Sequence, residues 1–360
     1  MIIHEVTIGE LEDFITSETY NALSPKPISR SRAISQAKNP SGKPNDIALV
    51  YMAEDQKLIA FAGILPDEMA DDSEPVYSNS GWWVHPELGR KYGLSVFFKA
   101  FQRCNQRMFL TDCTEYTKSI LEKTGLFSFR EPIVGKRFIM RFYLGNYFSK
   151  KTHISFVPAF YTALDFLANS VLTWRIKRCR NKFLPSGYTV RFEKSIDAAL
   201  KQFIQDNSSG YFLKQDGDKL NWICRYKWLT EHKDGHVVNY PFSQCVNSFR
   251  QEFMVISEKD TTVALLLLNH REDHVSIPYI YYTHDHLSEV VVLLIDYLLA
   301  QKTNSLVVYN RRILAMLDQI KVPAIKSLSI KRYFGSSNEI DKLFAGERFF
   351  QDGEGDVAFT

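Results

Sequence analysis

The stretch that decides how this chain is read is Val84-His85-Pro86-Glu87-Leu88-Gly89-Arg90-Lys91-Tyr92-Gly93-Leu94-Ser95. Before it, Trp82-Trp83-Val84 has the residue types of a strand end; after it, apolar residues recur at helical spacing from about Tyr92 to Arg103. A helix start leaves backbone N–H groups without intrahelical acceptors and carries partial positive charge. A strand running through glycines and cations into such a start is therefore suited to phosphate groups. In this reading Gly93 admits a ligand close to the backbone, and Arg90 and Lys91 add charge beside it.

Working outward, the N-terminal side gives a strand at 2–8, helical material at 10–23 and 29–37, and a hairpin of 47–53 with 58–65. An acidic loop with Asp67, Glu68, Asp71, Asp72 and Glu74 leads back to the opening stretch. Beyond it come a strand at 107–111, a helix at 114–123 and a strand at 136–144. The same order then returns with different residues. It runs through strand 188–192, helix 196–205, hairpin 253–257 with 263–268, strand 275–282, helix 287–300, strand 305–308 and helix 313–320, with closing strands at 327–333 and 356–359. The fold class expected is α+β, as two tandem domains at 1–148 and 186–360, each a mixed central β-sheet flanked by helices. A basic amphipathic linker helix at 149–185 joins them.

Bulk properties agree with two cores: 360 residues, 45% hydrophobic and 24% charged. Lys and Arg number 44 against 41 Asp and Glu, a net charge of +3 that gives no reason to expect nucleic acid. The five cysteines form no Cys-x-x-Cys pair and the N-terminus has no signal-peptide pattern, so a reducing, cytoplasmic setting is expected.

Arg90-Lys91-Tyr92-Gly93-Leu94-Ser95 resembles the Arg/Gln-x-x-Gly-x-Gly/Ala pattern of the GCN5-related N-acetyltransferase (GNAT) superfamily, with Ser95 at the last small position. The strand ending Val84-His85-Pro86-Glu87 and the later Leu121-Glu122-Lys123-Thr124-Gly125-Leu126-Phe127 are similar to that family's as well. The resemblance implies an N-acyltransferase with acetyl-CoA or another acyl-CoA as co-substrate and no metal. Trp83, Val84, Arg90, Lys91, Tyr92, Gly93, Leu94 and Ser95 would hold the donor. A small-molecule amine, of the amino-sugar or cell-envelope precursor class, would accept. The family commonly takes its general acid from a Tyr at the position of Leu121; Tyr116 is the nearest replacement here. Glu68 (with Asp67) and His85 are the candidates for the base.

The second copy departs from the pattern. Thr283-His284-Asp285-His286-Leu287-Ser288 has no glycine and carries an acid, which leaves one donor site, with Thr283 or Asp285 as an ordinary helix cap. His284 and His286 lack a third metal ligand. The two-copy arrangement is similar to mycothiol synthase and the FemABX-type transferases, which implies an acceptor side built by the second copy. Tyr211, Phe212, Trp222, Tyr226 and Trp228 either stack on that acceptor or pack a core. Two other functions stay open: an inactive acyl-CoA-binding module peripheral to a membrane, and an aminoacyl transferase using charged tRNA.

The connector 154–174 is interrupted by Pro158, Asp165 and Asn169 and bracketed by Lys150, Lys151, Arg175, Lys177, Arg178, Arg180 and Lys182. It reads as a linker helix with a solvated basic end, the alternative being weak peripheral membrane contact through 150–182. Asp352-Gly353-Glu354-Gly355-Asp356 reads as a tight acidic turn rather than a calcium loop.

Overall fold

A computed structural model describes all residues but 1, 71–73, 146–155, 181–183, 232–237, 321, 323, 344–347 and 360. The expected loop acids Asp71 and Asp72 and the flanking cations Lys150, Lys151 and Lys182 lie outside the described residues.

In chain order, β1 (Ile2–Thr7), α1 (Leu11–Phe14), α2 (Glu18–Ala22) and α3 (Arg30–Ala37) precede β2 (Ile47–Glu54), β3 (Lys57–Glu68) and β4 (Pro75–Val84). There follow α4 (Gly93–Arg103), β5 (Met108–Cys113), α5 (Glu115–Lys123), β6 (Phe127–Phe129), β7 (Ile133–Ile139) and α6 (Phe156–Arg180). The rest comprises β8 (Tyr188–Glu193), α7 (Ala198–Asp206), α8 (Gly217–Arg225), β9 (Thr230–Glu231), β10 (Cys245–Val246), β11 (Phe249–Glu258), β12 (Thr261–Arg271) and β13 (His274–Tyr282). It ends with α9 (Leu287–Ala300), β14 (Ser305–Val308), α10 (Arg311–Gln319), β15 (Lys326–Ser337) and α11 (Asn338–Asp341).

The expected helix at 10–23 is two short ones. Ser17 takes an extended backbone and accepts from the Tyr20 amide, so the chain restarts a helix instead of continuing one. The expected strand at 356–359 is a buried single turn, Val357–Phe359.

The chain divides into two compact units, neither contiguous. Unit one is Met1–Ile133, Lys194–Glu252 and Arg332–Thr360; unit two is Val134–Glu193 and Phe253–Lys331. Contacts therefore do not cut the chain at 148 and 186. The reason lies in the last strand of each half: β15 pairs antiparallel with β5 in unit one, and β7 pairs antiparallel with β14 in unit two.

In unit one the sheet runs β1-β2-β3-β4-β5-β15, antiparallel except for the parallel β4–β5 pair. Alternate side chains leave opposite faces of a strand, and both faces here are apolar. Val50 and Met52 pack with Val96, Phe97 and Ala100 of α4, while Leu49 and Tyr51 pack with Leu11, Tyr20 and Ala33. Unit two has the order β8-β11-β12-β13-β14-β7, with β13–β14 as its parallel pair. Its core joins Leu266, Ile280 and Leu306 to Val290, Leu294 and Leu298 of α9 and Ile313 of α10. The protein is thus a mixed α/β fold of helix-flanked mixed sheets.

Candidate functional site

In unit one, β4 and β5 pair only at Tyr77 with Met108 and Ser78 with Phe109; no further pair between them occurs among the described residues. From Asn79 to Val84, β4 remains bonded to β3 on one edge while its other edge leaves β5. A strand edge offers N–H and C=O groups to any extended ligand laid along it, over about 16 Å for these residues. Two β4 residues, Ser80 and Gly81, oppose the single β3 residue Gly63, a bulge that bends the strand where it parts from its neighbour. Gly81 supports it with a φ of +135°, and a Cβ there would stand 3.0 Å from the Phe242 ring.

The open edge ends at Val84, and the turn 85–92 delivers the chain to α4. His85 organises this turn, its Nδ1 accepting from the amides of Glu87 and Leu88, each at 3.2 Å. Tyr92 supplies no capping side chain to α4. By contrast Ser17, Ser29, Thr114, Asp197, Asp216 and Asn310 each cap a helix through a side-chain oxygen. The first-turn amides of α4 are therefore left for solvent or an anion, with Leu94 and Ser95 exposed.

The missing Cβ of Gly93 makes room for Val84. A Cβ on it would lie 2.5 Å from Val84 Cγ2, and one on Gly89 would lie 2.4 Å from Val84 Cγ1 and 2.8 Å from the Ile59 carbonyl. The glycines let the turn fold down onto Val84, which brings the α4 start next to the strand end. Trp82 Nε1 fastens this joint by donating to the Gly93 carbonyl at 3.2 Å. Lys91 is exposed beside it.

At its narrow end the β4–β5 gap is closed by the 353–356 turn. Gly355, φ +72°, sits so tightly that a Cβ would come 2.7 Å from Thr111 Oγ1 and 3.5 Å from Ser78 Cβ. Asp356, next in the turn, pairs with Arg32 at 3.2 Å, and the same guanidinium donates to the Ser80 carbonyl in the bulge at 2.6 Å and to Tyr240 Oη at 2.8 Å. The Trp228 ring lies 4.0 Å beneath the Arg32 guanidinium and stacks on Phe359 at 4.3 Å. Burial pushes the Asp356 carboxyl up, opposed by Arg32; its side chain keeps 21% exposure. Glu354 is 1% exposed. Gln215 Nε2 donates to its Oε1 at 3.1 Å, its Oε2 has no hydrogen-bond partner among the described residues, and burial raises its carboxyl to about 8. Nearby, Asp67 is buried in an ion pair with Lys219 at 2.5 Å.

The structure scatters the candidate acid and bases. Glu68 pairs with Pro75 at the start of β4, whereas His85 follows its end, about 30 Å along the strand. Glu68 is also engaged by Lys214 at 2.6 Å. Tyr116 is 75% exposed on α5. Phe212, Trp222 and Trp228 are buried in unit one, where they pack a core rather than present a stacking surface. Neither Thr283 nor Asp285 caps the helix after β13: the Thr283 hydroxyl donates to the Val263 carbonyl, and the N-cap of α9 is His286, without a capping bond. His284 meets Arg312 and His286 meets Tyr188, so the two do not converge; among the described residues no metal-binding group of His, Cys, Asp and Glu is found.

No family model matches the chain, and no curated protein matches it. Its fold is similar to that of solved N-acyltransferase structures. Among solved structures it is similar to Saccharomyces cerevisiae N-myristoyltransferase with bound myristoyl-CoA, with a TM-score of 0.50 and 12% identity over 99% of this chain and 87% of that one. It is likewise similar to a conserved Enterococcus faecalis V583 protein of unknown function given as a probable N-acyltransferase, with a TM-score of 0.50, 10% identity, and 93% and 71% of the two chains covered. A GCN5-related N-acetyltransferase from Kribbella flavida superposes with a TM-score of 0.48 at 10% identity, over 93% and 71%.

Proposed function

We propose that the chain is an acyl-CoA-dependent N-acyltransferase with one donor site, in unit one. The observation that carries this reading is the β4 edge Asn79–Val84, without a β5 partner among the described residues, which the turn 85–92 joins to the uncapped start of α4. The pantetheine arm of an acyl-CoA, with its amides, suits the edge, and its pyrophosphate suits the first-turn N–H groups of Gly93, Leu94 and Ser95, with Lys91 nearby. The thioester then lies by the bulge at Ser80–Gly81. Gly355 fills the gap beyond, which favours acetyl or another short acyl group over a long chain.

The acceptor's ammonium gives up one proton to solvent, its nitrogen attacks the thioester carbonyl, the C–S bond breaks, and the CoA thiolate leaves with the second proton from that nitrogen. Asp356, joined to the bulge carbonyl through one guanidinium, is the carboxylate placed to draw in the acceptor's ammonium and orient it. Arg32 in turn holds Asp356 in place.

Titration calorimetry with acetyl-CoA tests the donor half. Ser95→Glu puts a carboxylate on the exposed first turn of α4, where it complements the helix dipole and leaves stability unchanged or raised by about 0.5 kcal/mol. It should nevertheless weaken acetyl-CoA binding by about tenfold or more. Equal affinity for variant and wild type would place the donor elsewhere. Thiol release over a panel of small amines tests transfer, with Asp356→Asn expected to raise KM for the amine more than it lowers acetyl-CoA affinity.

A further inference from the structure

Unit two contains a helix whose polarity is turned inside out. On α6, Thr162, Asp165, Asn169 and Thr173 follow one another at three- and four-residue steps and so share one face. That face is bonded to the chain around 141–145. The Gly145 amide donates to Asp165 Oδ2 at 2.7 Å, the Phe142 amide donates to Asn169 Oδ1 at 2.9 Å, and Asn169 Nδ2 donates to the Phe142 carbonyl at 2.8 Å. Arg141 Nη1 donates to Thr173 Oγ1 at 3.3 Å. Asp165 and Asn169 are 9% and 8% exposed.

The opposite face carries Phe160, Leu164, Leu167, Val171 and Trp174, in steps of four, three, four and three residues. At 100° per residue these five fall within about 80° of arc, centred opposite Asn169. All five are exposed, from 43% at Leu164 to 62% at Leu167. Water-facing helices put apolar side chains inward; here the polar ones are inside, and a continuous apolar stripe faces out.

We propose that this outward face of α6 docks on an anionic lipid surface, lying in the interface rather than crossing it. Charge decides the occupant. The sequence 150–182 holds Lys150, Lys151, Arg175, Lys177, Arg178, Arg180 and Lys182 against a single acid, Asp165, and that acid is turned inward. Cations flank the stripe in sequence on both sides. With seven cations adjoining the stripe in sequence, a surface of anionic headgroups is the occupant of complementary charge. No helix among the described residues is long and apolar enough to cross a membrane. An amphipathic helix with aromatic and aliphatic residues on one face and Lys and Arg next to it in sequence is the type that lies at the headgroup boundary. The inference does not depend on the acyl-CoA reading.

Flotation of the full chain with vesicles tests it. Phosphatidylcholine vesicles with about 30% phosphatidylserine should carry the protein upward at roughly 0.05 M salt, and pure phosphatidylcholine should retain about tenfold less. Salt at roughly 0.5 M should release most of the bound protein. Leu167→Glu with Val171→Glu alters only exposed positions and should abolish flotation with an unchanged circular-dichroism spectrum and melting temperature. Lys177→Glu with Arg178→Glu should reduce flotation to the phosphatidylcholine level. Failure of the wild type to float with anionic vesicles, or flotation of the Leu167→Glu, Val171→Glu variant alongside it, overturns the proposal. So does a concentration-dependent dimer in sedimentation equilibrium that this variant abolishes while wild type stays off the vesicles, since the face would then belong to a second copy.

Discussion

Arg32 and Asp356 lie 324 positions apart and meet at 3.2 Å around the bulge of β4. Neither stands out in the sequence: Arg32 is one cation in a short helix, and Asp356 ends a run that reads as a tight acidic turn. Periodicity and capping signals are local, so they identified the helix start at residues 93–95 but not the charges that converge on Ser80. The signal that was available is Gly353 and Gly355 spacing the acids, which marks close backbone approach. Glu354 yields a prediction of its own. Its carboxyl, raised to about 8 by burial from an ordinary 4.5, keeps a proton in the folded protein that the unfolded chain has already released in that window. The contribution of this group to stability therefore falls as pH rises from about 4.5 to 8. Glu354→Gln, which has no proton to lose, should match wild type near pH 4 and exceed it near pH 9 by on the order of 1–3 kcal/mol in thermal or denaturant unfolding. Parallel curves for the two proteins across that range would show that the buried carboxyl is not held protonated.

At the scale of elements, hairpins and helices with strong periodicity were legible, and the reason is visible in the packing. The hairpin expected at 47–53 and 58–65 is β2–β3, whose alternate residues fill two different cores. The helix expected from Tyr92 is α4, with Val96, Phe97, Ala100 and Phe101 buried on one side. What the pattern could not show is the bulge, because Ser78-Asn79-Ser80-Gly81 gives no alternation to interrupt. Gly81→Ala should be costly there, since φ near +135° and contacts of 3.0 Å to the Phe242 ring and 3.3 Å to Arg32 Nη1 leave a methyl group no room. We expect a loss of about 1–3 kcal/mol in urea unfolding. Gly125→Ala, also at positive φ but with nothing within 4 Å, should cost only the backbone strain of about 1 kcal/mol. If the two variants lose equal stability, close packing at the bulge is not what selects glycine.

Across the whole molecule, the sequence reads as one order of elements met twice, and that reading does not reveal that each unit takes strands from both halves of the chain. β7 and β15 would look the same whichever sheet received them, and nothing local encodes the choice. A chain cut at residue 148 therefore lacks 194–252 and 332–360, which supply unit one with Trp228, Tyr240, β15 from Arg332 onward, and Asp356. Expressed alone, residues 1–148 should show no cooperative unfolding transition and should expose apolar surface to hydrophobic dyes. A cooperative melt of that fragment would show that the exchanged segments are not needed for the core.

The same interleaving orders events during synthesis. Unit two has all of its residues once position 331 has emerged from the ribosome, whereas unit one, begun at the first strand, must wait for its final segment. The phosphate-ready helix start can form early, yet the floor of the gap and the Arg32 pairing arrive only with residues 353–359. A nascent chain thus holds an unfinished sheet edge beside β5 until residues 332–337 emerge, and its proposed chemistry becomes available only when the 353–356 turn closes.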